Sequence, residues 1–229
     1  MERDSESILL LAGDIDIKRR GIDYANLLSE RFKAVVLVPG NHDLWGSNFS
    51  SLQNSWVEEA NENVHPLFNS SVVIDNVSFS GGTLWTGYKD NDEFVMWNAT
   101  RAMNDYRKIR YGDSFRKFSP AIALYEHRDC LRAIREALSS TKTKHVVLTH
   151  MSPSYSLGEA CYIGGEMEHY YHSNLDDLLV EADLWCYGHN HYNVDRVVGN
   201  KPTRLISNQR GYSPNDLCSG FREDLLIEI

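Results

Sequence analysis

The sequence predicts one α/β domain with mixed sheets. Three observations point there. Four short apolar runs, Ile8–Leu11, Ala34–Val38, His145–Thr149 and Leu184–Tyr187, have strand length and stop at Gly, Pro or polar residues. The first two flank a segment with helical spacing, and strand–helix–strand order predicts a right-handed parallel crossover. The 229 residues hold no internal repeat, low-complexity tract or linker, so one domain spanning 1–229 accommodates them.

Ile8-Leu9-Leu10-Leu11-Ala12-Gly13 reads as a buried strand. Within 18–32, Ile22, Leu27, Leu28 and Phe32 share a helical face. Ala34-Val35-Val36-Leu37-Val38 is a second buried strand, closed by Pro39-Gly40. A helix is expected over 52–60, and 72–80 reads as a hairpin turning at Asp75-Asn76. Two more helices are expected near 92–110 and 120–138. The second offers Ala121, Leu124, Leu131, Ile134 and Leu138 to a buried face. After the strand 145–149, residues 151–172 are rich in Gly, Ser, Tyr and Glu and read as an active-site loop. A short helix over 174–182 leads into the strand 184–187, and 194–198, 204–207 and 225–229 read as short strands.

Composition narrows the function. Hydrophobic residues at 42% and charged residues at 24% give a globular balance, and no stretch approaches the roughly 20 apolar residues that span a bilayer. The first six residues lack a signal-peptide pattern, and Cys130, Cys161, Cys186 and Cys218 form no C-x-x-C pair. Ordinary thiols in a reducing cytoplasm are expected, without a membrane partner. A net charge of −9 argues against a broad cationic nucleic-acid surface, hence weakly against a nuclease, without excluding one. A bound divalent metal could still supply local positive charge.

Four strands end in metal-capable residues: Gly13-Asp14, Gly40-Asn41-His42-Asp43, Thr149-His150 and Gly188-His189-Asn190-His191. Ligands gather at the carboxyl ends of strands in open α/β sheets. A single Asp in such a place is usually a turn or helix cap, but four sites in succession are harder to explain that way. Oxygen from Asp14 and Asn41 with nitrogen from His150, His189 and His191 suits Mn, Fe, Zn or Ni. Other residues have plainer readings. His127 and His145 are expected to be structural, His169 and His172 to lie at the surface, and Trp85, Trp97 and Trp185 to be core or half-buried aromatics. Arg210 could contact phosphate or form a salt bridge.

Leu11-Ala12-Gly13-Asp14-Ile15, Val38-Pro39-Gly40-Asn41-His42-Asp43, Leu148-Thr149-His150 and Gly188-His189-Asn190-His191 together resemble the motif series of calcineurin-like metallophosphoesterases. Gly82-Thr83-Leu84-Trp85 and Ser207-Asn208-Gln209-Arg210-Gly211-Tyr212 resemble a bacterial and phage branch of that family. The resemblance implies a two-layer mixed β-sandwich flanked by helices, with two metals at one edge. It implies that Asp14 bridges the metals, that Asn41, His150 and His189 complete one site, and that His191 binds the other metal. His42 would contact phosphate and protonate the leaving oxygen, with Asp43 orienting it. The implied reaction is hydrolysis of a phosphomonoester or phosphodiester by metal-activated water.

One departure stands out. The family carries a D-x-H segment on a strand before the G-D segment, and residues 1–7 hold no such pattern. That leaves one complete ligand set and predicts uncovered apolar surface beside the Ile8 strand. Three readings are open: a start upstream of Met1, a one-metal enzyme, or a catalytically weak or inactive binding module that keeps the fold. The natural substrate and the oligomeric state are not readable.

Overall fold

A computed structural model describes residues 4–139, 144–158, 164–212 and 217–229. Its strands are β1 (Ile8–Leu11), β2 (Ala34–Leu37), β3 (Val64–Pro66), β4 (Ser70–Ile74), β5 (Val77–Gly82), β6 (Arg110–Tyr111), β7 (Arg116–Lys117), β8 (Lys144–Thr149), β9 (Leu184–Cys186), β10 (Val194–Val198) and β11 (Thr203–Ser207). Three form a parallel sheet in the order β1-β2-β3. Six form a mixed sheet in the order β10-β11-β9-β8-β5-β4, and β6-β7 is a small ribbon.

Strand side chains alternate between faces, and here both faces of the central strands are apolar. Val36 and Val38 of the β2 run join Val146 and Leu148 of β8, Leu184 and Cys186 of β9, and Ile206 of β11 in one cluster between the sheets. The intervening residues, Val35, Leu37, Val147, Trp185 and Leu205, enter a larger cluster on the helix-covered faces. The helix Arg20–Ser29 brings Ile22 and Ala25 to that cluster, and the helix Phe49–Glu59 brings Leu52 and Trp56. Pro120–Leu138 brings Ala123, Leu124, Cys130, Leu131 and Ile134. The result is the expected two-layer mixed sandwich with helices outside.

Local chemistry explains the boundaries. Asn48 caps the second helix by accepting from Ser51 N at 3.1 Å, which starts it three residues before the expected Leu52. Ser119 caps Pro120–Leu138, and Pro120 stands in the first turn where its missing N–H costs nothing. Asp75 and Asn76 both take left-handed backbone, φ 50° and 64°, giving the tight turn between β4 and β5. The expected 92–110 helix is split. Glu93–Ala102 ends at extended Met103, and a single turn Asp105–Lys108 follows. β3 was not foreseen, because Val64-His65-Pro66 is too short to show a pattern. The expected strand at 225–229 does not form a ladder; Leu225 and Ile227 instead pack against the inter-sheet cluster.

β1 lies at the edge of its sheet, and all four of its residues are only partly buried, whereas β2 is buried throughout. Beside it runs a groove of about 1620 Å³, lined by Ile8, Leu10, Val146, Leu148 and Ile206 and reaching Asp14 and His150. Apolar surface was expected here from the sequence, and residues 225–229 also line the groove and cover part of it.

Candidate metal centre

The four motif loops meet at one end of the sheets. Gly13 and Gly40 make the approach possible. Gly13 has φ +86°, and a Cβ there would stand 2.6 Å from both Gly40 N and His150 Nδ1. A Cβ at Gly40 would stand 2.1 Å from Asp14 Oδ1. Asp14, His189 and His191 are themselves left-handed, φ 54°, 72° and 54°. Such backbone is uncommon outside glycine and is held here by surrounding contacts.

Asp14 Oδ2 lies 3.5 Å from His150 Nε2. Asn41 Oδ1 lies 3.0 Å and His189 Nδ1 3.2 Å from the same nitrogen. The ligand atoms of Asp14, His150 and His189 all fall within 4.8 Å of one another. His150 Nδ1 is 2.8 Å from the Ala12 carbonyl, which can only accept, so Nδ1 carries a proton and, in the neutral ring, Nε2 presents a lone pair. Asn41 turns its amide nitrogen to Asp105 at 2.9 Å, so its oxygen faces the cluster. Three lone-pair acceptors thus face one another. A proton on His189 Nδ1 could serve at most one of them. His189 Nε2 is buried without a partner among the described residues. Burial, then the neighbouring His150, His42, His172 and His191, holds the His189 pKa well below the ordinary histidine range. It is therefore a neutral imidazole, the form that ligates. A mixed oxygen–nitrogen set of this kind fits a divalent transition metal.

His42 sits at the rim, its side chain 27% exposed, with Nδ1 3.6 Å from Asp14 Oδ2. Its backbone N–H donates to Asp14 Oδ1 at 2.9 Å. Asp43 does not orient it. The Asp43 carboxylate accepts from the backbone N–H groups of Gly40 (2.7 Å), Asp14 (2.8 Å) and Asp16 (3.3 Å). Burial, then the charge of Asp14, raises its pKa well above the carboxylate range, and those N–H groups oppose the rise. Asp43 thus ties two motif loops together, a task its adjacency to His42 in sequence concealed. The ring that backs His42 is Trp45, at 3.8 Å between centroids.

His191 lines the same groove but stands outside the three-residue cluster, its ring 4.6 Å from Tyr212. Its loop is braced by Gln209, whose Oε1 accepts from His191 N at 2.8 Å and whose Nε2 donates to Asn190 Oδ1 at 2.8 Å. Two further expectations need correction. His172 is buried and receives a hydrogen bond from Asn190 Nδ2 at 3.2 Å, so it supports the same loop from inside. Trp97 is 52% exposed, with Arg101 over its ring. Trp85 and Trp185 are core residues, and His127 and His145 are buried as expected. Cys130 and Cys186 are buried free thiols among the described residues, and Cys161 lies outside them.

The family model for calcineurin-like phosphoesterases matches residues 2–193. The chain belongs to that family. Its chemistry is phosphoester hydrolysis, and the motif loops described above are those the resemblance singled out. "Uncharacterized protein L509" of Acanthamoeba polyphaga mimivirus is 25% identical over 204 residues, covering 81% of this chain and 71% of that protein. Among solved structures, the phosphopantetheinyl hydrolase PptH of Mycobacterium tuberculosis aligns with a TM-score of 0.59 and 19% identity, over 87% of this chain and 77% of its own. At that identity the likeness is one of fold. No helix among the described residues is long and apolar enough to cross a membrane.

Proposed function

We propose that this calcineurin-like phosphoesterase is metal-dependent and that Asp14, Asn41, His150 and His189 hold its principal ion. The observation that carries the reading is the convergence of lone pairs on His150 Nε2, from Asn41 Oδ1 at 3.0 Å and Asp14 Oδ2 at 3.5 Å, which no donor among the described residues satisfies in full. A divalent ion bound there supplies charge that polarises a phosphoryl group and acidifies water. Asp14 keeps its second oxygen on the His42 backbone, which fixes the carboxylate plane. His42, partly exposed beside Asp14, contacts the phosphate and passes a proton to the leaving oxygen. No protein nucleophile is required, because phosphoryl transfer gains chiefly from positioning and electrostatics. His191 with Asp14 forms a second, weaker position, since His191 stands apart from the cluster. Substrates are phosphomonoesters or phosphodiesters, and Mn, Fe, Zn and Ni all suit the ligand set.

The test is direct. The chain is stripped with chelator, reloaded with Mn, and assayed on p-nitrophenyl phosphate and bis-p-nitrophenyl phosphate. Stoichiometric uptake of one tightly held ion with return of turnover supports the proposal. Undiminished turnover in the stripped chain, or no Mn uptake, counts against it.

A further inference from the structure

We propose that Asp105 is a positioning residue that sets the Asn41 amide toward the metal and, through Trp45, the plane of the His42 ring. The inference rests on the metal-site reading above and extends it to a residue 64 positions away in sequence. Asp105 is 1% exposed. Its Oδ1 accepts from Asn41 Nδ2 at 2.9 Å and from Trp45 Nε1 at 2.7 Å. Two donors on one carboxylate oxygen fix both partners at once.

The Asn41 amide has two orientations of nearly equal shape, and only one places its oxygen beside His150 Nε2. The Asp105 oxygen that faces Asn41 already accepts from the Trp45 N–H, which can only donate, so it presents an acceptor and selects that orientation. The flipped amide would set an N–H₂ against the ligand cluster and an oxygen against Asp105. Trp45 is held twice by the same turn: by its edge on Asp105 and by its face under Lys108 Nζ, 3.5 Å from the ring centroid. Its own ring lies 3.8 Å from His42 at 37°. The single turn Asp105–Lys108 therefore touches a candidate ligand directly and the candidate acid through one side chain.

A purely structural anchor would alter stability and leave the two functions together. The proposal separates them. Mn affinity of the full chain is read by calorimetry, and kcat and KM by turnover of p-nitrophenyl phosphate at saturating Mn. Asp105→Ala is expected to weaken Mn binding about 10–100-fold, the usual effect of removing a residue that orients a ligand. Asp105→Asn, which keeps an oxygen acceptor, should bind Mn within a few fold of the parent. Trp45→Phe keeps a ring against His42 but loses the N–H. It should hold Mn normally and lower kcat several fold with little change in KM. If Asp105→Ala does not fold, a swap decides the matter. Asn41→Asp alone sets two carboxylates together, and adding Asp105→Asn restores a donor–acceptor pair and with it Mn binding. Parent-like Mn affinity in Asp105→Ala, or no recovery in the swap, overturns the inference. Absence of Mn binding by the parent chain is a different result: it overturns the metal-site reading, and this inference with it.

Discussion

Asp14 occupies left-handed backbone at φ 54° because its surroundings over-determine it: its N–H donates to Asp43 at 2.8 Å, and its Oδ1 accepts from His42 N at 2.9 Å. That local wiring makes the residue-scale predictions separable. His42→Ala removes the group proposed to touch substrate and leaves the proposed ligand atoms in place. Turnover should fall about 10²–10⁴-fold with Mn content unchanged, measured on purified, Mn-loaded protein. Parent-level turnover, under conditions where chemistry limits, would remove His42 from the reaction. His189→Ala deletes a proposed ligand, so bound Mn and activity should fall together. Asn41, His150 and His189 were legible in the sequence because each lies within four residues of the carboxyl end of a strand, and strand direction carries it toward the site. Asp105 was not, because its contact with Asn41 crosses 64 residues. Asp43 was legible as important but not in its task. A carboxylate beside His42 in sequence can point either way, and the free N–H groups of Gly40 and Asp14 claimed it.

The turn after β5 shows the same logic one scale up. Leu84 and Trp85 both have positive φ, 70° and 51°, so the chain leaves the strand through a strained pair. Thr83 Oγ1 donates to the Pro39 carbonyl at 2.8 Å, tying this turn to the Asn41 loop, and His127 Nδ1 reaches the Leu84 carbonyl at 2.9 Å from the long helix Pro120–Leu138. Burial pulls the His127 pKa down from its ordinary value of 6.5 to about 4. A lowered folded pKa means the unfolded chain binds the proton more readily. The stability it contributes is complete above 6.5 and declines as pH falls toward 4. The His127 contribution should shrink by about 2 kcal/mol between pH 7 and pH 5. Urea unfolding of the parent and of His127→Gln at both pH values tests this, and an equal pH slope in the two proteins contradicts it. The pairing of β5 with β8 is less forgiving. At Gly81 a Cβ would lie 1.7 Å from the Leu148 carbonyl oxygen, so Gly81→Ala should cost about 3 kcal/mol or more. Long amphipathic and continuous apolar elements were readable, since their periodicity survives averaging. The break at Met103 and the short β3 were not, because each depends on tertiary contacts more than on local pattern.

At the scale of the whole molecule, the two sheets share one core, yet that core is closed unevenly. Val36, Val38, Val146 and Leu148 are 0% exposed, while Ile8 and Leu10 on the adjoining edge strand are only partly covered and face the groove. The residues after Asp224 run along this groove. Leu225 and Ile227 are half-buried against the inter-sheet cluster, Leu226 between them is 48% exposed and Glu228 is exposed; Ile229, 47% exposed, departs from the pattern. That alternation explains why 225–229 reads as a strand from sequence: the two-residue period reflects a covering role and does not require a hydrogen-bonded ladder. Fully burying one such side chain contributes about 1.5–3 kcal/mol, so two half-buried ones contribute roughly 2 kcal/mol together. In a domain of this size 1 kcal/mol moves Tm by about 2–4 °C, so a chain ending at Asp224 should melt roughly 4–8 °C lower than the parent. It should also bind more of an apolar dye, because Ile8, Leu10 and Ile206 lose their cover. Leu226→Asp changes an outward residue on the same segment and should leave Tm within about a degree, as surface substitutions do. If truncation leaves Tm and dye binding unchanged, the segment does not cover the groove. If Leu226→Asp lowers Tm as much as truncation, the inward–outward alternation assigned to the segment is wrong.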